Sequence, residues 1–298
     1  MRSKLFVPGI RPELFSKALA SQADALSFDL EDSVPEVLKS EARDQIAAFV
    51  RRSEVRAAAK LIIVRSNPLA TRHFSEDLGA IAVDGVALIN LPKIESADDV
   101  LTAVAEIECA EAANRVESPI GLLINIETPR ALRAAAEIAH AHPRVMGLQL
   151  GLGDLFEPFG LARHDESNVH AAMFAVRMAA AEAGVFACDG AFAEIQDDAG
   201  YRAEAQMARR LGFVGKSCIH PRQITLANEV FRPDGAEIEA ARRVVEASRQ
   251  AEASGHGAFV VDGRMIDLPF LKRAEAIVAA EDQALANPLA NRDADGTH

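Results

Sequence analysis

Short apolar runs alternate with longer Ala-rich amphipathic stretches along the chain. The apolar runs predict strands at 4–7, 25–30, 60–65, 85–91, 120–126, 145–150, 184–188 and 213–219. Runs of this length, bounded by turn residues, read as strands buried on both faces. The stretches between them predict helices near 11–21, 39–52, 72–83, 97–113, 129–141, 166–183 and 198–210. Strand and helix in strict alternation imply a parallel sheet. Eight strands is the number that closes a (β/α)8 TIM barrel, with a doubly wound open sheet as the second solution.

Local signals support these boundaries. Ser96 stands before Ala97-Asp98-Asp99 as a helix cap, and Thr128-Pro129 places a proline in a first helical turn. After the last strand, His220-Pro221 opens a helix to about Val230, and Pro233-Asp234-Gly235 breaks the chain. Two further helices are expected near 236–254 and 268–286, separated by a small β-ribbon in Ala258-Phe259-Val260-Val261-Asp262-Gly263. The expected organisation is a barrel domain over 1–232 and a C-terminal helical extension over 233–286, with a disordered tail at 287–298. A barrel does not need that extension, so its apolar face is expected to pack on a neighbouring subunit.

Composition narrows the function classes. The 298 residues are 49% hydrophobic and 26% charged, with a net charge of -12. That acidity argues against nucleic acid and anionic membranes as partners. The absence of Trp and the single Tyr leave no stacking platform for bases. Cys109, Cys188 and Cys218 form no CxxC pair, which is consistent with reduced thiols in the cytoplasm. No apolar run reaches the roughly 20 residues of a membrane span, and Met1-Arg2-Ser3-Lys4 does not open a signal peptide.

Candidate chemistry gathers at predicted strand ends. Glu127 follows Leu122-Leu123-Ile124-Asn125-Ile126, and Asp154 follows the run ending in Gly151-Leu152-Gly153. In a parallel α/β fold the carboxyl ends of the strands are where ligands bind. Two acids on neighbouring strands could hold one hard divalent cation, Mg2+ first, or could simply be solvated loop acids. Asp29, Glu31 and Asp32 close the second strand and could orient metal-bound waters or simply start a turn. Arg65 could grip a substrate carboxylate or pair with an acid of the same rim. Lys93 raises Schiff-base chemistry, but Glu95 and its acidic neighbours are expected to keep it charged. The histidines form no HxH or HxxxH cluster, which speaks against zinc. Asp267, taken alone, reads as a helix cap.

Together these residues resemble a family. Arg2-Ser3-Lys4-Leu5-Phe6-Val7-Pro8-Gly9 with Arg11-Pro12, Asp29-Leu30-Glu31-Asp32-Ser33-Val34 and Leu91-Pro92-Lys93-Ile94-Glu95 carry the first part of the match. Ile126-Glu127-Thr128, Gly151-Leu152-Gly153-Asp154-Leu155, Gly215-Lys216-Ser217-Cys218-Ile219-His220-Pro221 and Met265-Ile266-Asp267 carry the rest. Seven motifs in order, nearly end to end, resemble the citrate lyase β-subunit-like group of the HpcH/HpaI aldolase superfamily, with its malyl-CoA and citramalyl-CoA lyases.

The resemblance implies a Mg2+-dependent carbon–carbon lyase that cleaves a 3-hydroxy-3-carboxy acyl-CoA to a 2-oxo acid and acetyl-CoA. It implies metal ligands Glu127 and Asp154, with Glu31 and Asp32 behind the bound waters, and Arg65 on the oxyacid. It places Phe6, Arg11 and Lys17 along the acyl-CoA site. Asp267 becomes the catalytic acid delivered into a neighbouring subunit of a trimer or hexamer. A citrate lyase β-subunit in a multisubunit complex, a thioesterase or malate synthase-like variant, and a non-catalytic acyl-CoA-binding protein are the alternatives. After Asp154 the chain carries Phe156 and Phe159 where the family pattern expects smaller residues, and a narrowed pocket is expected there.

Overall fold

The computed structural model describes residues 1–253 and 258–286. Eight parallel strands close a barrel in the order β1 to β8. Strand β1 (Ser3–Pro8) leads to α1 (Phe15–Ala20), and β2 (Ala25–Asp29) leads to α2 (Lys39–Val50) and the short α3 (Ser53–Ala57). Strand β3 (Leu61–Arg65) precedes α4 (His73–Ile81), and β4 (Leu88–Leu91) precedes α5 (Ala97–Asn114). Next come β5 (Gly121–Ile126) with α6 (Pro129–Arg133) and α7 (Ala135–His140), then β6 (Val145–Leu150) with α8 (Leu152–Phe156) and α9 (Glu166–Ala183). The circuit ends with β7 (Phe186–Asp189), α10 (Asp198–Leu211), β8 (Gly215–Cys218) and α11 (Pro221–Phe231).

The TIM barrel expected from the alternation is therefore present, with every strand where the apolar runs place it. One helix differs. The stretch expected as a single helix over 129–141 is two, because Ala134 leaves the helical region at φ -93 and ψ 7. The cap signals act as read: Ser96 Oγ accepts the Asp99 N–H at 3.2 Å, and Thr128 Oγ1 accepts the Ala131 N–H at 3.1 Å.

The main core lies between the strands' outer faces and the helices. Phe15, Phe28 and Phe49 meet there with ring centroids 4.9–5.5 Å apart. Inside the barrel a second, small apolar cluster of Ala25, Ile63, Leu88 and Leu123 fills the end opposite the strand C-termini. All strands point one way, so Asp29, Arg65, Leu91, Ile126 and Leu150 end their strands at the same mouth.

From Arg232 the chain forms a separate compact unit. Helix α12 (Gly235–Ala253) precedes an antiparallel ribbon of β9 (Phe259–Val261) and β10 (Arg264–Ile266), and α13 (Leu268–Ala286) follows. The ribbon expected around Phe259 is thus present. The tail expected at 287–298 lies outside the described residues.

One buried ion network ties the last barrel strands to α10. Lys216 is fully buried, and its Nζ donates to Asp189 Oδ2 and Glu204 Oε1, both at 2.6 Å, and to the Gly190 carbonyl at 3.1 Å. Arg163 completes it with two bonds to Glu204 at 2.6 and 2.9 Å. Replacing Lys216 by Met would strand the Asp189 carboxylate without its cation. We expect a loss of about 3–5 kcal/mol of stability, read as a fall in the denaturant midpoint. An unchanged midpoint would show that the network is not needed for stability.

Candidate active site

The mouth is built from the strand ends inward. Asp29 closes β2, and its carboxylate accepts the Glu31 N–H at 3.0 Å and the Ser33 N–H at 3.1 Å, so it pins the turn that carries Glu31 and Asp32. Lys39 holds the same turn from behind through the carbonyls of Leu30 and Glu31, at 2.9 and 3.1 Å. Asp29 is in register with Arg65 at the end of β3. The guanidinium meets it with two parallel bonds, Nε to Oδ1 at 2.6 Å and Nη2 to Oδ2 at 2.8 Å. Its third nitrogen, Nη1, lies 2.7 Å from Glu31 Oε2 and 3.3 Å from Asp32 Oδ2. The Glu31 contact is an ion pair at an angle that is not a hydrogen bond, so Oε2 is buried without a donor.

Burial sets the protonation here. It pushes the Glu31 carboxyl up to about 8; Arg65 opposes the shift, and Asp32, Glu127 and Asp29 add to it by repulsion. Burial acts on Asp29 in the same sense, but the bidentate Arg65 outweighs it and holds Asp29 below the usual carboxylate range. Arg65 is itself raised: burial would lower it, and the three carboxylates reverse that.

On the opposite side, Glu127 follows β5 and Asp154 lies in the first turn of α8. Glu127 is buried, and its Oε2 accepts the Asn125 side-chain amide at 3.0 Å. Asn90 orients that amide from β4 at 2.8 Å. Gly151 permits the packing, because a Cβ there would stand 2.6 Å from Glu127 Cβ and 2.8 Å from its Oε2. Lys93 bridges the two acids. Its backbone is left-handed, at φ 53, which aims its N–H at Glu127 Oε1 at 2.7 Å. Its Nζ lies 2.5 Å from Asp154 Oδ1 and 3.7 Å from Glu127 Oε1. Burial pushes Glu127 up and would lower Lys93, but the bond to Asp154 and the charge of Glu127 keep Lys93 raised. The expected partner Glu95 faces Arg130 instead, at 3.8 Å.

The Lys93 ammonium therefore stands where two convergent carboxylates can hold a cation. Among the described residues, no group of three or more His, Cys, Asp and Glu side chains forms a ready-made metal cage. Two carboxylates still suit a cation that keeps several waters and takes its other ligands from substrate, and this is the habit of Mg2+.

Two clefts open at this mouth. One, of about 500 Å³, is lined by Lys93, Glu127, Thr128, Arg130, Asp154 and Phe159. The other, of about 380 Å³, is lined by Phe6, Pro8, Asp29, Asp32, Arg65 and Ile219. Phe159 is 60% exposed and forms a wall, whereas Phe156 is buried in the core, so only one of the two phenylalanines expected to narrow the pocket lies beside it. Arg11 follows β1 and pairs with Glu13, and Lys17 sits exposed in the last turn of α1. Asp267 belongs to the second unit, just before α13, and its Oδ1 has no hydrogen-bond partner. Lys93, singled out in the sequence for Schiff-base chemistry, instead bridges the acids as a charged amine. Lys4, fully buried inside the barrel, is the residue that the pattern does not single out; its signal is a lysine at the start of a buried strand.

Residues 2–221 match the family model for HpcH/HpaI aldolase/citrate lyase. An L-malyl-CoA/beta-methylmalyl-CoA lyase of Rhodobacter capsulatus is 34% identical over 304 residues, covering 95% of each chain. The citrate lyase subunit beta of Escherichia coli is 37% identical over 280 residues, covering 93% of this chain and 92% of the relative. Among solved structures, the protein CitE from Mycobacterium tuberculosis, in complex with magnesium, acetoacetate and coenzyme A, superposes with a TM-score of 0.72. The identity is 32%, covering 94% of this chain and 98% of that one.

The raised Glu31 makes a prediction that needs no substrate. A carboxyl raised in the folded state stabilises the protein fully below its unfolded value, about 4.5, and that stability is lost as pH rises through about 8. In EDTA, the wild type should lose stability between these limits, and Glu31→Gln should flatten that part of the pH profile. Thermal unfolding from pH 4.5 to 9 reads it; parallel profiles for the two proteins would remove Glu31 as the titrating group.

Proposed function

The chain belongs to the HpcH/HpaI aldolase/citrate lyase family, and on that premise we propose a Mg2+-dependent carbon–carbon lyase. Its substrate is a 3-hydroxy-3-carboxy acyl-CoA of the citramalyl-CoA or malyl-CoA type, and its products are a 2-oxo acid and acetyl-CoA. The observation that carries the reading is the convergence of Glu127 and Asp154 on one cation position, at the mouth that also holds Arg65. The magnesium-bound relative and the malyl-CoA lyase relative support the choice of metal and of substrate class.

Glu127 and Asp154 hold the metal, and Lys93 releases Asp154 when the pair is loaded. Bound there, Mg2+ supplies Lewis acidity that lowers the pKa of the substrate hydroxyl and stabilises charge on the oxo-acid oxygens. Asp29 fixes the Arg65 guanidinium in place. With Glu31 carrying its proton near neutral pH, Nη1 is left to offer its charge to the substrate carboxylate. Glu31 and Asp32 hold the water shell beside it. Phe6 lines the acyl cleft, and the exposed cations Arg11 and Lys17 meet the phosphates of coenzyme A. Asp267 exchanges a proton with the methyl carbon of acetyl-CoA, delivered by the C-terminal unit to the site of a neighbouring subunit in a trimer or hexamer. Its Oδ1 is buried and accepts no hydrogen bond, in keeping with a task beyond helix capping. No helix among the described residues is long and apolar enough to cross a membrane, and we place the enzyme in the cytoplasm.

A citrate lyase β-subunit working with partner subunits is the second reading, favoured by the 37% identity to such a subunit over 93% of the chain. Oxo-acid release from citramalyl-CoA, malyl-CoA and citryl-CoA, with Mg2+ and with EDTA, separates the readings. We expect metal-dependent release of pyruvate or glyoxylate. Free CoA without an oxo acid would point to a thioesterase or synthase variant, and silence across the panel to a binding protein. Glu127→Gln and Asp154→Asn should lose Mg2+ binding and at least about a hundredfold in turnover together. Asp267→Asn should keep Mg2+ binding and assembly and lose roughly 10²–10⁴-fold in turnover; full activity in that variant would return Asp267 to a capping role.

A further inference from the structure

The inside of the barrel is polar at a height where such barrels are filled by branched apolar side chains. Inward side chains group in layers of four from alternate strands. The strand registers, carried around the circuit, place Ser27, Asn90, Gln149 and Ser217 in one layer, from β2, β4, β6 and β8. All four are buried, and each has a side-chain oxygen without a hydrogen-bond partner: Ser27 Oγ, Asn90 Oδ1, Gln149 Oε1 and Ser217 Oγ. The layer next to it on the side away from the mouth holds Lys4, Ile63, Leu123 and Cys188, and Lys4 Nζ is also fully buried and unpartnered. Phe6, Arg65 and Asn125 form the layer toward the mouth.

Five orphaned polar atoms in adjacent layers call for a ligand. Their chemistry says which one. Asn90 spends its amide nitrogen on the Leu123 carbonyl and on Asn125 Oδ1, at 2.9 and 2.8 Å, so its Oδ1 is left to accept. Two amide oxygens exclude an anion, and an adjacent amine disfavours a metal cation. Two hydroxyls, two acceptors and an amine together suit water, which donates and accepts.

Lys4 links this layer to the mouth. Its Nζ lies 3.8 Å from the centre of the Phe6 ring, and the Arg65 guanidinium lies 5.2 Å from the same ring. Phe6 in turn lines the cleft with Asp29, Asp32 and Arg65. We propose that a cluster of ordered water fills the polar layer, and that Lys4, solvated by it, is a positioning residue that holds the Phe6 ring against Arg65 in the acyl cleft. The functional part rests on the lyase reading above; the water cluster does not.

The charged and titratable groups around Lys4 are Asp29 on β2, Arg65 on β3, Cys188 on β7 and Cys218 on β8. Burial pushes the Lys4 amine down to about 7; Cys188 opposes the shift, and Arg65 adds to it. The folded protein therefore sheds this proton before the unfolded chain does. Its stability should rise from about pH 7 toward the ordinary lysine range.

Lys4→Met keeps the length and removes the amine. Three measurements test the proposal. A high-resolution crystal structure of the wild type should show water within hydrogen-bond reach of the Ser27, Asn90, Gln149 and Ser217 oxygens. Thermal unfolding between pH 7 and 10 should show the rise in the wild type and not in Lys4→Met. With the thioester that proves active, Lys4→Met should raise KM about tenfold with kcat little changed, and the same change in a Phe6→Leu background should add nothing. A dry layer overturns the water cluster. Parallel pH profiles, or Lys4→Met effects that add fully to Phe6→Leu, overturn the role of Lys4. Failure of the lyase reading would appear instead as an inactive wild type, and the structure and the pH profiles would still judge the buried site.

Discussion

Five carboxylates, Asp29, Glu31, Asp32, Glu127 and Asp154, converge on two cations at one end of the barrel, and the mouth exists only because their repulsion is offset. Two like charges about 4 Å apart repel by roughly 4 kcal/mol in the intermediate dielectric of such a rim. Arg65 takes the three acids of the β2 end, and Lys93 takes Glu127 and Asp154. The cations do not balance the acids, and the remainder is absorbed in two ways. Glu31 is pushed toward its protonated form, and the Glu127–Asp154 pair is left open to a further positive charge.

The parallel barrel makes this arrangement possible. Because every strand ends at the same mouth, residues distant in sequence become neighbours without long side chains: Asp29 meets Arg65 by strand register alone. The turn after β2 is then fixed by Asp29 itself, which bonds two backbone N–H groups while it grips Arg65. A single residue thereby couples the fold to the site, and the loop acids behind it inherit their positions from it. The strain at Lys93 follows the same logic, since its left-handed backbone serves to present both an N–H and an ammonium to the Glu127 side of the mouth.

The strands were legible because parallel strands buried on both faces leave unbroken apolar runs, and the acids were legible because they close those runs. The pairing of the acids was less so. Arg65 could be seen to end a strand, but that it spends both sides of its guanidinium on three carboxylates depends on register, which a linear pattern does not carry. Lys4 was invisible for a physical reason: in Lys4-Leu5-Phe6-Val7 a lysine at a strand start reads as a solvated end, and only closure of the barrel turns it inward. The break at Ala134 was hidden because Ala-rich sequence favours helix on both sides of it. Asp267 could be singled out only through resemblance, since no spacing distinguishes it from a cap.

Charge balance also bears on the choice among substrates. Five carboxylates against Arg65 and Lys93 leave three negative charges at the mouth. A divalent cation and the proton held by Glu31 together cancel them. Each carboxylate that an oxo acid brings then adds one negative charge beyond this balance, and Nη1 of Arg65 and the exposed Arg130 are cationic groups that line the two clefts to face it. Packing distinguishes hydrogen from methyl by only about 1–3 kcal/mol, whereas an uncompensated charge in this mouth costs more than that. The charge that a ligand carries into the rim therefore weighs more in the choice of oxo acid than the size of its side group.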